Sequence, residues 1–439
     1  MKMSKVILVV ILLFTGVVTE AQQSGSWTLE ACIAYALNEN IEVRKSLLTN
    51  NRLEVNTDQA KAQRLPSANA SVSQTFKWGA NTNVDATGWM GTNGTNYSVS
   101  SGITIYDGSR INNSIRQSEL NLEGGRYSLE TTRESISLNI LNAFLQVLYT
   151  EEQVKNSAKQ IESTQEQLYL AQERLALKII AQSDYAQVKS QLASEKYTLA
   201  SSESQLAIAK INLMQLMELP VTSDFRIAKP DLDENINQNR FSDVKSVFET
   251  ALSIKPQIKV ASINKDIAAL DEEIARAGYF PTISANAGIG STFASQTVDP
   301  YITQLADGIR PYLGFTLSVP IYQKKQVKSS VALARIGYQD AVLSETDTKN
   351  QLRKNIEQAC TDVTSAQIEY EASLEQYQAT LESSSLSDEK FKQGFINSVD
   401  YSVSKTNLIV AESQLLQSKY KLIFSYKVLD FYSGIPLSL

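Results

Sequence analysis

The chain of 439 residues contains no histidine. The commonest general base and the commonest transition-metal ligand are therefore missing together. No other cluster of metal-ligand residue types and no glycine-rich phosphate loop takes their place. An enzyme is the least expected class, and no cofactor or metal is expected. Cysteine is scarce as well: Cys32 and Cys360 are the two thiols, far apart in the chain. A free, buried pair is the favoured reading, with a disulfide left open. Lys and Arg number 41 against 47 Asp and Glu, for a net charge of -6. With no basic run, the electrostatic footprint of nucleic-acid binding is lacking. Long apolar runs are also missing, except near the start. Val6 to Val18 follows Lys2 and Lys5 and precedes Thr19-Glu20-Ala21, so residues 1–21 read as a secretory signal. That run is shorter than the roughly 18 residues a helical span needs. Leu29-Glu30-Ala31-Cys32 is superficially like a lipoprotein cleavage box but sits too far beyond the apolar run. An exported chain without a helical span is periplasmic, secreted or an outer-membrane β-barrel.

What is present is a duplication. Pro66 and Pro281 stand 215 residues apart; Asp184 and Asp400, and Pro220 and Pro436, stand 216 apart. A repeat of this length precedes any assignment of fold. The first copy covers 22–220, a polar linker 221–243, and the second copy 244–439. Proline is absent between Ser67 and Leu219 and between Ile321 and Ile435. Those stretches can hold long helices, where an interior proline would cost about 3 kcal/mol. Within them Tyr185, Leu192, Leu199, Leu206 and Leu213 recur every seventh residue, as do Tyr401, Leu408, Leu415, Leu422 and Leu429. Ile140, Val147, Val154, Ile161, Leu168 and Leu175 form a third such series. A strict seven-residue apolar repeat marks left-handed coiled-coil packing. Helical hairpins are expected over 110–217 and 325–432. The helix from about Arg110 to Leu177 would reach roughly 100 Å at 1.5 Å per residue, with Gly124-Gly125 as a possible bend or break.

Ahead of each helical hairpin the period changes to two. Ala68, Ala70, Val72, Phe76 and Trp78 alternate with Asn69, Ser71, Ser73, Thr75 and Lys77; Tyr97, Val99, Ile103 and Ile105 alternate with Ser98, Ser100 and Thr104. In copy two Ile283, Ala285, Ala287, Ile289 and Phe293 alternate with Ser284, Asn286, Gly288, Gly290 and Thr292; Leu313, Phe315, Leu317 and Val319 alternate with Tyr312, Gly314, Thr316 and Ser318. Such strands have one apolar face and one small polar face. Strand hairpins are expected over 67–106 and 282–321, joined by polar tips at 79–96 and 296–310. Phe76, Trp78, Trp89, Tyr97, Phe293, Tyr301 and Tyr312 gather near those tips, as an interfacial aromatic girdle would.

Four membrane strands cannot close a barrel, and an open edge cannot sit in lipid. Several chains must then share one barrel, continued inward by a ring of long helices. The expected class is a mixed α+β membrane protein with four strands per chain.

At this point the chain resembles the TolC-like outer-membrane efflux proteins, also called outer-membrane factors. The likeness rests on Trp27-Thr-Leu-Glu-Ala-Cys-Ile-Ala-Tyr-Ala-Leu-Asn-Glu-Asn40, Ala60-Lys-Ala-Gln-Arg-Leu-Pro66 and Ile105-Tyr-Asp-Gly108. Echoes follow at Ala275-Arg-Ala-Gly-Tyr-Phe-Pro281 and Val319-Pro-Ile-Tyr322, and Lys390-Phe-Lys-Gln-Gly-Phe-Ile-Asn-Ser-Val-Asp400 resembles the family's hairpin tip. The resemblance implies a homotrimer with a shared twelve-stranded barrel in outer-membrane lipid and a periplasmic α-helical tunnel. It implies the exit duct of a multi-component efflux or type I secretion system. Its partners would be a periplasmic adaptor (membrane fusion) protein and an inner-membrane transporter of the RND, ABC or a similar class. The rival reading is a periplasmic coiled-coil adaptor without a barrel, which would usually carry one helical hairpin instead of two.

The helical tips are the expected working end: Lys178, Ile179 and Ile180 in copy one, Gly394, Phe395 and Ile396 in copy two. Gly394 suits a left-handed helix end. Lys178 in the matching place predicts a turn that differs or is strained. Asp184 and Asp400 open the returning helices, where a carboxylate either complements the helix dipole or joins a constriction ring that favours cations. By resemblance, Asp400 matches the first of two family aspartates at the periplasmic constriction. The second position holds Val403, and the tyrosine and arginine lock positions hold Phe391 and Ile396, so the family's salt-bridged lock is not expected.

Overall fold

The computed structural model describes residues 26–80, 89–220, 225–230 and 243–439. The expected signal at 1–21 and most of the linker lie outside the described residues. The elements run α1 (Leu29–Glu39), α2 (Ile41–Ala62), β1 (Ser67–Ala80), β2 (Trp89–Tyr106), α3 (Arg110–Ala176) and α4 (Gln182–Leu216) in copy one. Copy two follows with α5 (Val244–Ile254), α6 (Pro256–Ala277), β3 (Thr282–Ala294), α7 (Tyr301–Asp307), β4 (Arg310–Ser318), α8 (Gln326–Gln393) and α9 (Ser398–Tyr432). Among the described residues no helix is long and apolar enough to cross a membrane.

The chain divides into two compact units. Of the described residues, those within 1–47, 128–258 and 348–439 form one and those within 48–127 and 259–347 the other. The first unit holds two cores that draw on equivalent positions of the two copies, the first also taking in Leu416, Tyr420 and Ile423 of copy two. Cys32, Ala36, Val43, Ile136, Ile140, Val147 and Leu213 are buried in one. Val247, Ala251, Ile258, Leu352, Ile356, Val363 and Leu429 are buried in the other. Cys32 thus stands where copy two has Val247 and acts as a small apolar side chain. Both thiols are free, and burial pushes that of Cys32 up to about 12. Every residue of the three seven-residue series is buried or half-buried.

The short helix that opens each copy ends in the same way by different chemistry. Asn40 sits between α1 and α2, its Oδ1 accepting from the N–H of Glu42 at 2.9 Å and its Nδ2 donating to the Leu216 carbonyl at 2.9 Å. The counterpart between α5 and α6 is Lys255, followed by Pro256 at the first helical position, where a missing N–H costs nothing. Lys255 Nζ donates to Glu134 at 3.1 Å and lies 3.1 Å from the centre of the Phe431 ring. Burial pulls its pKa down, opposed by Glu134.

In the second unit the strands form one antiparallel sheet in the order β1-β2-β3-β4. The register sets Ala70, Val99, Ile289 and Pro311 in one row and Ser101, Ala287 and Leu313 in the next. All four apolar sets therefore share one face. A bulge at Ile105 shifts the β2–β3 register before its last pair, Tyr106 with Ile283. The polar tip at 296–310 contains α7. The glycine pair in α3 does not break the helix. The helix runs through it for 67 residues. A Cβ on Gly125 would fall 2.5 Å from Leu53 Cδ1 and 2.6 Å from Asn50 Oδ1, so glycine there lets α2 approach closely. Gly125→Val is expected to destabilise the protein by about 1–3 kcal/mol through overpacking. Gly124→Ala, which meets a methyl of the buried Ile263 at 3.3 Å, is expected to destabilise less than Gly125→Val. Thermal unfolding in detergent, followed by circular dichroism, measures both.

Candidate functional site

Within the first unit, α3 passes to α4 and α8 to α9 through two tight turns with the same hydrogen-bond pattern. Ile179 N–H donates to the Arg174 carbonyl and Lys178 N–H to that of Leu175; Phe395 N–H donates to Lys390 and Gly394 N–H to Phe391. Each is a helix end closed by a left-handed residue. Gly394 adopts φ 82° without penalty, whereas Lys178 adopts φ 59°. A side chain there costs roughly 1–2 kcal/mol. The copy-one turn is thus strained, not different. Ile179 and Phe395 project from the two turns, 67% and 75% exposed; Lys178 is exposed, and Ile180 and Ile396 are half-buried.

The two turns are tied together inside the protomer. Arg174 donates to the carbonyls of Phe391 at 3.4 Å and Lys392 at 2.7 Å, in the last turn of α8. Ser398 Oγ donates to Asp184 Oδ1 at 2.7 Å. Tyr401 stacks on Phe391 with ring centres 4.5 Å apart, donates to Asp388 at 3.1 Å and accepts from Gln167. Burial and the nearby Asp388 carboxylate hold its phenol protonated.

The two candidate aspartates accordingly part company. Asp184 closes onto its own helix start, accepting from Ala181 N–H at 3.3 Å, and receives Ser398 besides. At the start of α9 the cap is Asn397, whose Oδ1 accepts from Asp400 N–H at 2.8 Å. The Asp400 carboxylate is left exposed. Among the described residues it has no side-chain partner. One turn back from Tyr401 toward the helix middle, Lys405 is buried and donates to Ser163 at 2.8 Å. Burial lowers its pKa; Glu195 and then Asp388 oppose that shift. Glu195 is buried too, with Gln160 and Gln191 donating to Oε1 and no partner for Oε2. Arg174, Ser398, Lys405 and Glu195 were not singled out from sequence. The one signal, for Arg174, Lys405 and Glu195, is that charged residues interrupt apolar seams, which many exposed helix positions also do; Ser398 gives none.

Within the second unit, Phe76 and Trp78 stack at 6.3 Å on the apolar face of the sheet. Tyr97 and Phe293 share that face. Tyr312 pairs with Gly288 on the opposite, polar face, and its ring lies over that glycine, so it does not join the aromatic set. The side chain of Trp89 lies outside the described residues. Along β1 to β4 the polar face carries Lys77 and Arg310 as its charged side chains, with no carboxylate among the described residues. The apolar face is bare: Leu313, Phe315 and Leu317 are all more than three-fifths exposed. An apolar surface of this extent does not face water on a monomer.

A profile of the outer membrane efflux protein family matches residues 32–218 and 247–434, one stretch per copy. The chain belongs to this family. Its fold is similar to that of CusC, at TM-score 0.81 and 15% identity over 93% of this chain and 92% of that one. The CmeC outer membrane channel of Campylobacter jejuni gives 0.80 at 15% identity, covering 92% and 85%. VceC of Vibrio cholerae, an outer membrane protein, gives 0.77 at 16% identity, covering 92% and 96%. No curated protein sequence matches the chain. As an outer membrane efflux protein it resides in the outer membrane and extends into the periplasm, and its work is conduction. The adaptor reading falls away, because both copies match a channel family.

In this family member the seam charges invite a test. Lys405→Met removes the Ser163 hydrogen bond and a positive charge that Glu195 favours, and is expected to cost about 1–3 kcal/mol. Adding Glu195→Gln should recover much of that loss. Detergent unfolding of the two single variants and the double variant measures the coupling; additive losses would show that the two charges do not interact.

Proposed function

We propose that three copies of the chain close one twelve-stranded barrel and act as the passive exit duct of a multi-component efflux or type I secretion system. The observation that carries this reading is the four-stranded sheet with one bare apolar face and unpaired outer edges on β1 and β4. In lipid an unsatisfied backbone group costs several kcal/mol, so the edges must pair with other copies. Three chains supply twelve strands, within the range of bacterial barrels.

In this reading Lys178, Ile179 and Ile180 with Gly394, Phe395 and Ile396 meet the periplasmic adaptor, and an inner-membrane transporter supplies the energy. The exposed Ile179 and Phe395 favour a partner with apolar grooves. Arg174, the Asp184–Ser398 bond and the Tyr401 stack hold the two hairpins together, standing in for the salt-bridged lock that Phe391 and Ile396 cannot make. Three Asp400 carboxylates form the cation-favouring ring, and Asp184 serves the local fold.

Two measurements test the reading. The protein should extract from outer membranes as a detergent-resistant trimer; a monomer in the soluble periplasmic fraction would overturn it. In planar bilayers Asp400→Ala should lower the cation-to-anion permeability ratio and weaken divalent block. Asp184→Asn should leave both unchanged while lowering thermal stability. Unaltered selectivity and block in Asp400→Ala would remove Asp400 from the ring.

A further inference from the structure

The helix α7 interrupts the β3–β4 connection on the apolar side of the sheet. Tyr301 Oη lies 2.6 Å from Tyr97 Oη, and its ring lies 4.6 Å from that of Phe293. Ser291 Oγ donates to the Leu305 carbonyl at 2.7 Å, and Gln304 Oε1 accepts from Ala294 N–H at 3.0 Å. Tyr97, Ser291 and Phe293 all belong to the apolar face. That face turns polar just here: Gln74, Thr95 and Ser291 stand in its outer rows. Thr95 is buried and donates to Gln74. Hydroxyls and amides that would be costly in hydrocarbon are therefore satisfied within the protein.

The outward side of α7 is split. At 100° per residue Tyr301, Gln304 and Leu305 face the sheet, Ile302 and Ala306 share one flank, and Thr303 and Asp307 share the other. Ile302 is 79% exposed, and Val298 just ahead of the helix is 99% exposed. A soluble loop has no reason to pin bare aliphatic residues beside an equally bare apolar sheet. The split flanks suit a boundary between an apolar and an aqueous phase.

We propose that α7 is an interfacial element that rests on the outer leaflet at the headgroup–acyl boundary, with Val298, Ile302 and Ala306 toward the acyl chains and Thr303 and Asp307 toward water. The inference rests on the sheet being a membrane wall. It commits to lipid as the occupant because the helix continues the same apolar face. It also sets the outer limit of the hydrocarbon band at the Gln74–Thr95 row, with Tyr97, Tyr301 and Phe293 as the interfacial aromatics around it.

Nitroxide labels test this in the full-length protein carrying Cys32→Val and Cys360→Ala, reconstituted in phosphatidylethanolamine–phosphatidylglycerol vesicles. Labels are placed singly through Ile302→Cys, Asp307→Cys and Phe315→Cys. Collision with dissolved oxygen, compared with collision with a water-soluble nickel chelate, reports depth. The oxygen-to-nickel ratio at 302 should approach that at 315 and exceed that at 307 severalfold. A ratio at 302 equal to that at 307 would place α7 in water and overturn the inference. So would protection of 302 from both reagents, which would mean that a neighbouring copy covers it. An aqueous signal at 315 would instead overturn the membrane wall itself.

Discussion

Everything in this chain answers to the backbone hydrogen bonds at the two ends of its sheet. β1 and β4 each present a row of N–H and C=O groups with no partner in the protomer. In water such edges are an aggregation hazard; in lipid they are not tolerated. Lys77 on β1 and Arg310 on β4 are the charges these edge strands carry on the polar face, while the inner strands pair in long, nearly unbroken register, which suits continuation of the sheet into another copy. The faces follow from the same closure. One side must meet acyl chains and is aliphatic; the other must meet water and is built from Ser, Thr, Asn and Gly.

The duplication makes this economical. One copy supplies one strand hairpin and one helical hairpin, and β2–β3 pairing joins the two copies into a single sheet. The cores of the first unit show how much of a repeat can stay fixed, with Cys32 for Val247, and with Ala36 and Leu213 repeated as Ala251 and Leu429. Divergence falls where helices end. Asn40 gives way to the buried Lys255, Gly394 to the strained Lys178, and the cap Asn397 to Ala181. The last change has a chemical consequence. Without a capping side chain at Ala181, Asp184 turns back to close its own helix and also binds Ser398. Asp400, relieved of that duty by Asn397, keeps its charge toward solvent.

Much of the fold was legible because local periodicity reflects chain geometry. Alternation by twos places Val72 with Phe76 and Leu313 with Phe315 on one face of a strand, whatever the strand packs against. Repetition by sevens places Leu192, Leu206 and Leu213 on one helical seam. The tips were legible because Gly394 and the residues after it end a helix in a recognisable way. The aromatic set was read only in part: Tyr312 stands near the right end of its strand but on the wrong face, because parity along β4, not proximity, decides the side. The close packing at Gly125 was not legible because glycine signals freedom in isolation, whereas a Cβ there would meet Leu53 and Asn50 of α2.

The sequence by itself thus determined the order of elements, the two faces of every strand, the helical seams and the need for more than one chain. Those properties depend on φ, ψ and side-chain spacing within a dozen residues. Only the tertiary structure decided that α7 lies on the apolar side of the sheet, that Arg174 reaches the last carbonyls of α8, and which of two equivalent aspartates remains exposed. Each of these depends on a polar group finding a partner, and most of the partners lie far away in sequence. The energy of such a pairing lies in geometry and exclusion of water, neither of which leaves a periodic mark on the chain.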